Sequence, residues 1–166
     1  LILEKHINPF HILVITFSKA SAIEMQKRFN ELMGQEYYPV RFGTFHSIFF
    51  NILIQYENYK TSDILTHSQK IKFLKSVLLQ MKHPCKMDIE TLENILNHIS
   101  YIKNHTSKLI LETEKIIPHF SEIYHDYERL IRREHKLDFD DMMLLCHQLL
   151  IDRPQIVVDY KQQVEY

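Results

Sequence analysis

The sequence predicts a mostly helical α/β protein, and three observations lead to this prediction. An apolar strand pattern, a helical pattern, a second strand pattern and a second helical pattern follow one another between residues 12 and 56. From residue 60 onward the patterns are helical and no strand signal is visible. Only two of the 166 residues are glycine, so few sharp turns are available.

The elements of the first part follow from apolar spacing and from turn residues. Apolar side chains recur at helical spacing up to Gly34, which is a typical residue just past a helix end. Residues 1–6 resemble the end of a helix that Asn8-Pro9 stops. The predicted elements are a strand at 12–17, a helix at 20–33, a strand at 40–45 and a helix at 46–56.

The alternation of strand and helix predicts a parallel sheet. Two parallel strands are not viable alone, because such sheets are usually buried on both faces. We therefore expect the remaining strands to lie outside this sequence. The chain starts without methionine at Leu1 and stops within a pattern at Tyr166, so we interpret it as an excerpt of a larger protein.

The helical patterns in the second part of the chain predict a helical subdomain over residues 60–137. Proline occurs at or near the starts of the helical patterns or between them, as at Pro118 and Pro154. The predicted helices are 67–82, 88–104, 113–135, 139–151 and a last one from Pro154 onward.

The composition is that of an ordinary soluble globular protein, with 45% hydrophobic and 25% charged residues. The formal net charge of −1 provides no overall attraction for a polyanion, although a local basic patch would suffice for one. Cys85 and Cys146 have no CxxC spacing and fit a reducing compartment. With no membrane span and no signal peptide in the sequence, we expect a cytoplasmic location. The eleven histidines form no HxxxH or HExxH pair, so no metal site is predicted.

The end of the first predicted strand is a candidate binding loop. Ser18 can cap the following helix, with Ser21 three residues later. A helix start offers backbone N–H groups and a positive dipole end, which suit a phosphate. Phe17 could stack on a nucleobase there, or it could be an ordinary core residue.

The end of the second predicted strand has the same design. Thr44 or Ser47 can cap the next helix, and Gly43 allows another backbone to approach closely. His46 is polar within an apolar run. The segment is therefore either a second backbone-binding loop on the same sheet edge or a capped core helix with one half-buried histidine.

A third stretch, LDFDDMMLL, begins the predicted helix 139–151. Asp138 and Asp141 have the spacing of a capping box, and acidic residues suit a first helical turn. Three carboxylates could also bind a metal ion, but capping is the better interpretation. The basic residues of segment 127–136 could contact phosphates, although a solvated helix face is the commoner explanation.

Taken together and in this order, ITFSKASAIEM, GTFHSIFF and LDFDDMMLL resemble the Ia, Ib and Ic-type motifs of superfamily one DNA helicases of the UvrD/Rep/PcrA kind. The spacing and the intervening helical insert also match. The resemblance implies a RecA-like P-loop NTPase domain that carries an inserted all-α subdomain. Residues 1–58 would be part of the first RecA-like domain, 59–137 the inserted subdomain, and 138–166 the return into the RecA-like domain.

The resemblance also implies roles for individual residues. Phe17 would lie against a base of single-stranded DNA. Lys19 stands where the family usually has asparagine, which puts that lysine's role in doubt. The residues implied to contact DNA are Thr16, Phe17, Ser18, Lys19, Thr44, Phe45, His46 and Ser47. Those implied to shape the return into the RecA-like domain are Asp138, Phe139, Asp140 and Asp141.

The function implied is that of an ATP-dependent translocase or helicase on single-stranded or partly duplex DNA. In the family, the GxxxxGK[ST] phosphate loop precedes this region and the DExxD strand follows it, and neither motif occurs here. ATP and Mg²⁺ would therefore bind to residues outside this chain, which alone would be inactive. The resemblance implies no membrane association and no particular oligomeric state. The alternative is a non-catalytic helicase relative that binds DNA or protein.

Overall fold

The computed structural model describes residues 1–34, 36–81, 87–105 and 109–166. The chain forms two compact units, which we call the sheet unit and the helical unit. The sheet unit comprises Leu1–Glu57 and Leu145–Tyr166, and the helical unit comprises Asn58–Leu144. Two predictions, the end of a helix at residue 82 and the thiol of Cys85, lie outside the described residues.

The sheet unit confirms the predicted alternation of strand and helix, and the two units together confirm a mostly helical α/β chain. A single 3-10 turn, Pro9–His11, precedes the first strand. The elements are α1 (Ile2–Lys5), β1 (Leu13–Thr16), α2 (Lys19–Met33), β2 (Arg41–Thr44) and α3 (Phe45–Glu57), followed near the C-terminus by α9 (Pro154–Gln163).

Strands β1 and β2 pair in parallel, with Leu13 opposite Arg41 and Thr16 opposite Thr44. The other edge of β1 is also hydrogen-bonded, because the Leu13 N–H donates to the Tyr166 carbonyl at 2.8 Å. The Tyr166 N–H in turn donates to the His11 carbonyl at 3.2 Å, which completes the pattern of a parallel ladder. The start of β1 is therefore hydrogen-bonded on both sides, within a sheet of two strands in the described residues.

The core of the sheet unit lies mainly under α3, as the apolar helical pattern predicts. The Cys146 thiol is free and buried in this unit, and burial raises its pKa to about 11. The buried apolar residues of the unit are Ile12, Ala22, Val40, Ile48, Phe50, Ile52, Leu53, Leu149 and Ile156.

The helical unit packs amphipathic helices around one apolar core. Helix α4 starts with a reciprocal capping box, in which Thr66 and Gln69 each accept the other's backbone N–H. The helices are α4 (His67–Gln80), α5 (Ile89–Lys103), α6 (Leu109–Glu114) and α7 (Phe120–Arg133), with α8 (Phe139–Asp152) beginning here and ending in the sheet unit. The fully buried core side chains include Leu74, Leu78, Leu92, Ile95, Phe120, Ile123 and Tyr127.

The prediction of one helix over residues 113–135 is wrong. The structure has α6 up to Glu114 and α7 from Phe120, with His119 in the left-handed region at φ 60°. Pro118 explains the break, because proline has no N–H to donate and disfavours a helical residue before it. The sequence also gave no sign of the parallel bridge between Ile64 and Leu137.

Candidate nucleic-acid interface

The structure brings the two predicted strand-end loops together. Thr16 and Thr44 are the last residues of their strands and lie opposite each other in the parallel register. Helices α2 and α3 therefore start side by side at the carboxyl edge of the sheet. We call residues 16–19 and 44–47 the strand-end site. In open α/β sheets, ligands bind outside the carboxyl ends of the strands.

Phe17 is not a core residue. Its side chain is 94% exposed, although Phe17 directly follows β1 and continues the apolar sequence of that strand. The next residue, Ser18, caps α2 as predicted, since its hydroxyl accepts the Ser21 N–H at 3.1 Å. Lys19 is the first residue of α2 and is exposed. The first loop thus presents an aromatic ring and an ammonium group at the positive end of a helix.

Thr16 differs from the other residues of the site because it is only 9% exposed. Its hydroxyl donates to the Ser18 carbonyl at 2.9 Å and lies 3.5 Å from the Gly43 carbonyl. The hydroxyl is thus bonded to the backbone of the first loop and lies close to a carbonyl group of β2.

The second loop is capped reciprocally, which confirms Thr44 and Ser47 as capping residues. The Ser47 N–H donates to the Thr44 hydroxyl at 3.2 Å, and the Thr44 N–H donates to the Ser47 hydroxyl at 2.8 Å. Gly43 makes this cap sterically feasible, since a Cβ atom there would lie 2.8 Å from the Ser47 Oγ atom. A side chain at position 43 would therefore push against the cap.

Two further residues of the second loop are partly accessible. Phe45 is about half exposed, and its ring centroid lies 6.2 Å from that of Phe49. His46 is half-buried, as the alternative interpretation of a capped core helix predicts. Because Phe45 is the first residue of α3, a second aromatic side chain stands at a helix start on this edge.

The third motif belongs to the start of α8, and its carboxylates cap that helix. The Asp141 N–H donates to the Asp138 Oδ1 atom at 3.0 Å, and the Asp138 N–H donates to the Asp141 Oδ2 atom at 2.9 Å. Asp140 accepts a hydrogen bond of 2.8 Å from the Asn104 amide. Phe139 is exposed. The predicted capping box is confirmed.

A buried lysine, which sequence reasoning missed, holds the same carboxylates. The Lys103 Nζ atom lies 2.7 Å from Asp141, 2.8 Å from Glu128 and 3.3 Å from Asp138. We call these four residues the buried lysine cluster. It joins the end of α5, the middle of α7 and the start of α8 within the helical unit.

A signal for the cluster was present in the sequence. Lys103 lies four, seven and eight residues after the buried Ile99, Leu96 and Ile95, so it continues the apolar stripe of α5. A lysine on such a stripe requires a buried partner, because an unpaired buried charge is costly.

The three carboxylates outnumber the single ammonium group, which shifts their pKa values. Burial raises the pKa of Asp141 to about 6, and the neighbouring Asp138 and Glu128 add to this rise, while Lys103 opposes it. For Asp138, burial also acts upward, but Lys103 and the Asp141 N–H hold its pKa below the ordinary value. Burial would lower the pKa of Lys103, yet the three carboxylates raise it overall.

Neither a metal site nor a membrane span is found in the part of the chain that the structure describes. Within residues 1–34, 36–81, 87–105 and 109–166, no group of three or more His, Cys, Asp or Glu side chains could hold a metal ion. In those same ranges, no helix is long and apolar enough to cross a membrane.

The comparisons with known proteins identify the family of the chain. The family model of the UvrD/REP helicase N-terminal domain matches residues 1–166. The chain is 28% identical over 176 residues to the ATP-dependent DNA helicase PcrA of Bacillus subtilis strain 168, covering 100% of this chain and 23% of that protein.

Two further relatives give the same result. The putative ATP-dependent DNA helicase YjcD of Bacillus subtilis is 28% identical over 171 residues, which cover 96% of this chain and 22% of the relative. The PcrA helicase of Staphylococcus epidermidis strain RP62A is 27% identical over 172 residues, which cover 98% and 23% respectively. The chain thus spans just under a quarter of the length of these relatives. It belongs to the UvrD/Rep helicase family and matches the N-terminal domain of that family along its whole length.

Proposed function

We propose that the chain is part of an ATP-dependent translocase or helicase and that its strand-end site contacts single-stranded or partly duplex DNA. The observation that carries this proposal is Phe17. An aromatic ring that is 94% exposed beside the capped start of a helix has no role in packing. The relatives named as ATP-dependent DNA helicases support the same conclusion.

The chemistry of the site suits a strand of nucleotides. The ring of Phe17 offers a face on which a base can stack, and such stacking contributes about 1–3 kcal/mol per base with little dependence on sequence. The adjacent starts of α2 and α3 present backbone N–H groups and two positive dipole ends toward the phosphates. Lys19 adds a positive charge, and the hydroxyl groups of Thr44 and Ser47 are held in place by their mutual cap. His46 and Phe45 complete the second loop.

The domain assignment is also a proposal: residues 1–58 and 138–166 would be pieces of a RecA-like domain, and residues 59–137 the subdomain inserted into it. The hydrogen bonds of Tyr166 to the second edge of β1, at the start of that strand, support a sheet of more than two strands. The sheet unit has a pocket of about 620 Å³, which is lined mostly by apolar side chains of α1, α2 and both strands. This apolar lining supports the proposal that other parts of the protein cover the pocket. The start of α8, from Asp138 to Asp141, would then form the return.

ATP and Mg²⁺ would bind elsewhere in the protein. The phosphates of ATP require a glycine-rich GxxxxGK[ST] loop, and the sequence has only two glycines, Gly34 and Gly43, and no such loop. The residues of this chain therefore do not fit the phosphates of ATP. The carboxylates of Asp138 and Asp141 surround Lys103, so they do not fit Mg²⁺ either. We assign no step of hydrolysis to this chain. A cytoplasmic location is part of the same proposal.

The test is ATP hydrolysis by the intact protein that carries this chain, measured with and without single-stranded DNA. The proposal predicts hydrolysis that DNA stimulates and that Phe17→Ala uncouples from DNA. A folded protein that binds DNA without hydrolysing ATP would instead favour the non-catalytic helicase relative. A folded protein that does neither would contradict the proposed function and would leave only a non-catalytic relative that binds protein.

A further inference from the structure

We propose that Thr16 is a positioning residue, which fixes the path of the first loop of the strand-end site, residues 16–19, and does not itself contact DNA. This inference rests on the proposed function, in which Phe17 stacks on a base. It assigns to Thr16 a role different from that of its exposed neighbours, although all of them belong to one sequence motif.

The burial of Thr16 is the first argument. Only 9% of the residue is exposed, whereas Phe17 beside it is 94% exposed. A hydroxyl group has one proton, and that of Thr16 is directed to the Ser18 carbonyl at 2.9 Å. Little of Thr16 is therefore left for a phosphate or a base.

The hydrogen bond encloses Phe17, which is the second argument. It joins the side chain of residue 16 to the carbonyl of residue 18, so the backbone of Phe17 is held within a closed turn. The same Ser18 carbonyl accepts the Ala22 N–H at 3.1 Å and thereby begins α2. The Thr16 hydroxyl thus fixes the direction of Phe17 relative to the helix start.

The position of Gly43 is the third argument. Its carbonyl lies 3.5 Å from the Thr16 hydroxyl, at the long limit of a hydrogen bond, and it directly precedes Thr44 of the second loop. The buried hydroxyl group of Thr16 is therefore bonded to the first loop and lies close to β2, which leads into the second loop. Because a preorganised site loses less conformational freedom on binding, this arrangement favours affinity for DNA.

The experiment uses the intact protein and a fluorescein-labelled oligothymidylate, with the dissociation constant measured by fluorescence anisotropy. Thr16→Val removes the hydroxyl and keeps the shape, while Thr16→Ser keeps the hydroxyl. The net energy of one hydrogen bond sets the scale of the preorganisation that Thr16→Val removes, so its affinity for DNA should fall about three- to tenfold. Thr16→Ser should stay within about twofold of the wild type. Thr16→Ala is the second hydroxyl-free variant in case valine disturbs folding.

The decisive readout is a double-mutant cycle with Phe17→Ala. If Thr16 acts through Phe17, Thr16→Val should cost less than about twofold once the ring is gone. Additive losses would mean that Thr16 contributes independently of Phe17 and would overturn the inference, as would unchanged affinity of folded Thr16→Val. If Phe17→Ala leaves the affinity unchanged, the proposed base contact fails, and the positioning role with it. Loss from Phe17→Ala without loss from Thr16→Val overturns the positioning role alone.

Discussion

Replacing Lys103 by methionine should destabilise the protein strongly, and more at high than at low pH. The lysine is the cation at the centre of the buried lysine cluster, with three carboxylate groups within 3.3 Å of its ammonium group. Methionine fills a similar volume but carries no charge. The carboxylates of Glu128, Asp138 and Asp141 would then face one another in a buried environment without a counter-charge.

The expected magnitude follows from the cost of an uncompensated buried charge. Removing one partner of a buried ion pair typically costs about 3–5 kcal/mol. That is a large part of the total stability of a domain, which is about 5–15 kcal/mol. The loss should shrink to about half near pH 5, because carboxyl groups that lack a cation take up protons and lose their mutual repulsion.

The assay is urea unfolding followed by far-ultraviolet circular dichroism near pH 8 and near pH 5. Lys72→Met is the matched control, because Lys72 is exposed on α4 and its replacement should change stability by less than about 0.5 kcal/mol. The reasoning would be refuted if Lys103→Met were as stable as the control, or if its loss were the same at both pH values.

Two further predictions concern the cluster and the second loop. The pKa of Asp141 is raised from its ordinary value of 3.8 to about 6. Its contribution to the free energy of unfolding is therefore fully present below pH 3.8 and is lost as the pH rises through about 6. This loss is at most about 3 kcal/mol. Asp141→Asn should remove it, so the free energy of unfolding should vary less with pH than in the wild type. An unchanged pH dependence would contradict the raised pKa of Asp141. Gly43→Ala should cost about 1–3 kcal/mol, because its Cβ atom would meet the Ser47 Oγ atom at 2.8 Å. Thermal unfolding should show partial recovery when Ser47→Ala is added, and wild-type stability of Gly43→Ala alone would disprove the clash.

Local rules predicted much of the fold and of the strand-end site. A cap and its partner lie three residues apart, so Ser18 with Ser21 and Asp138 with Asp141 were visible in the sequence, and the structure confirms both. The parallel pairing of the two strands likewise follows from the helix that separates them. Pro118 is a local signal for a helix break. The apolar periodicity on either side of it nevertheless led to the prediction of one continuous helix.

Tertiary packing decided the rest. An apolar residue at the end of a strand can turn inward or outward, so the exposure of Phe17 could not be read from its neighbours. Lys103 and Glu128 come from helices far apart in the chain, and no short spacing connects them with Asp138. The burial of Thr16 also depends on the neighbouring strand β2, because the Gly43 carbonyl lies beside its hydroxyl group.

The most direct test of the account compares two exposed phenylalanines in the intact protein. Phe17 lies at the carboxyl end of β1, while Phe10, 62% exposed, lies in the turn before the strand begins. The dissociation constant for an oligothymidylate should rise at least about fivefold for Phe17→Ala, as the loss of base stacking requires, and stay within about twofold for Phe10→Ala. Equal effects of the two replacements, or an unchanged affinity of Phe17→Ala, would contradict the claim that the carboxyl edge of this sheet holds single-stranded DNA.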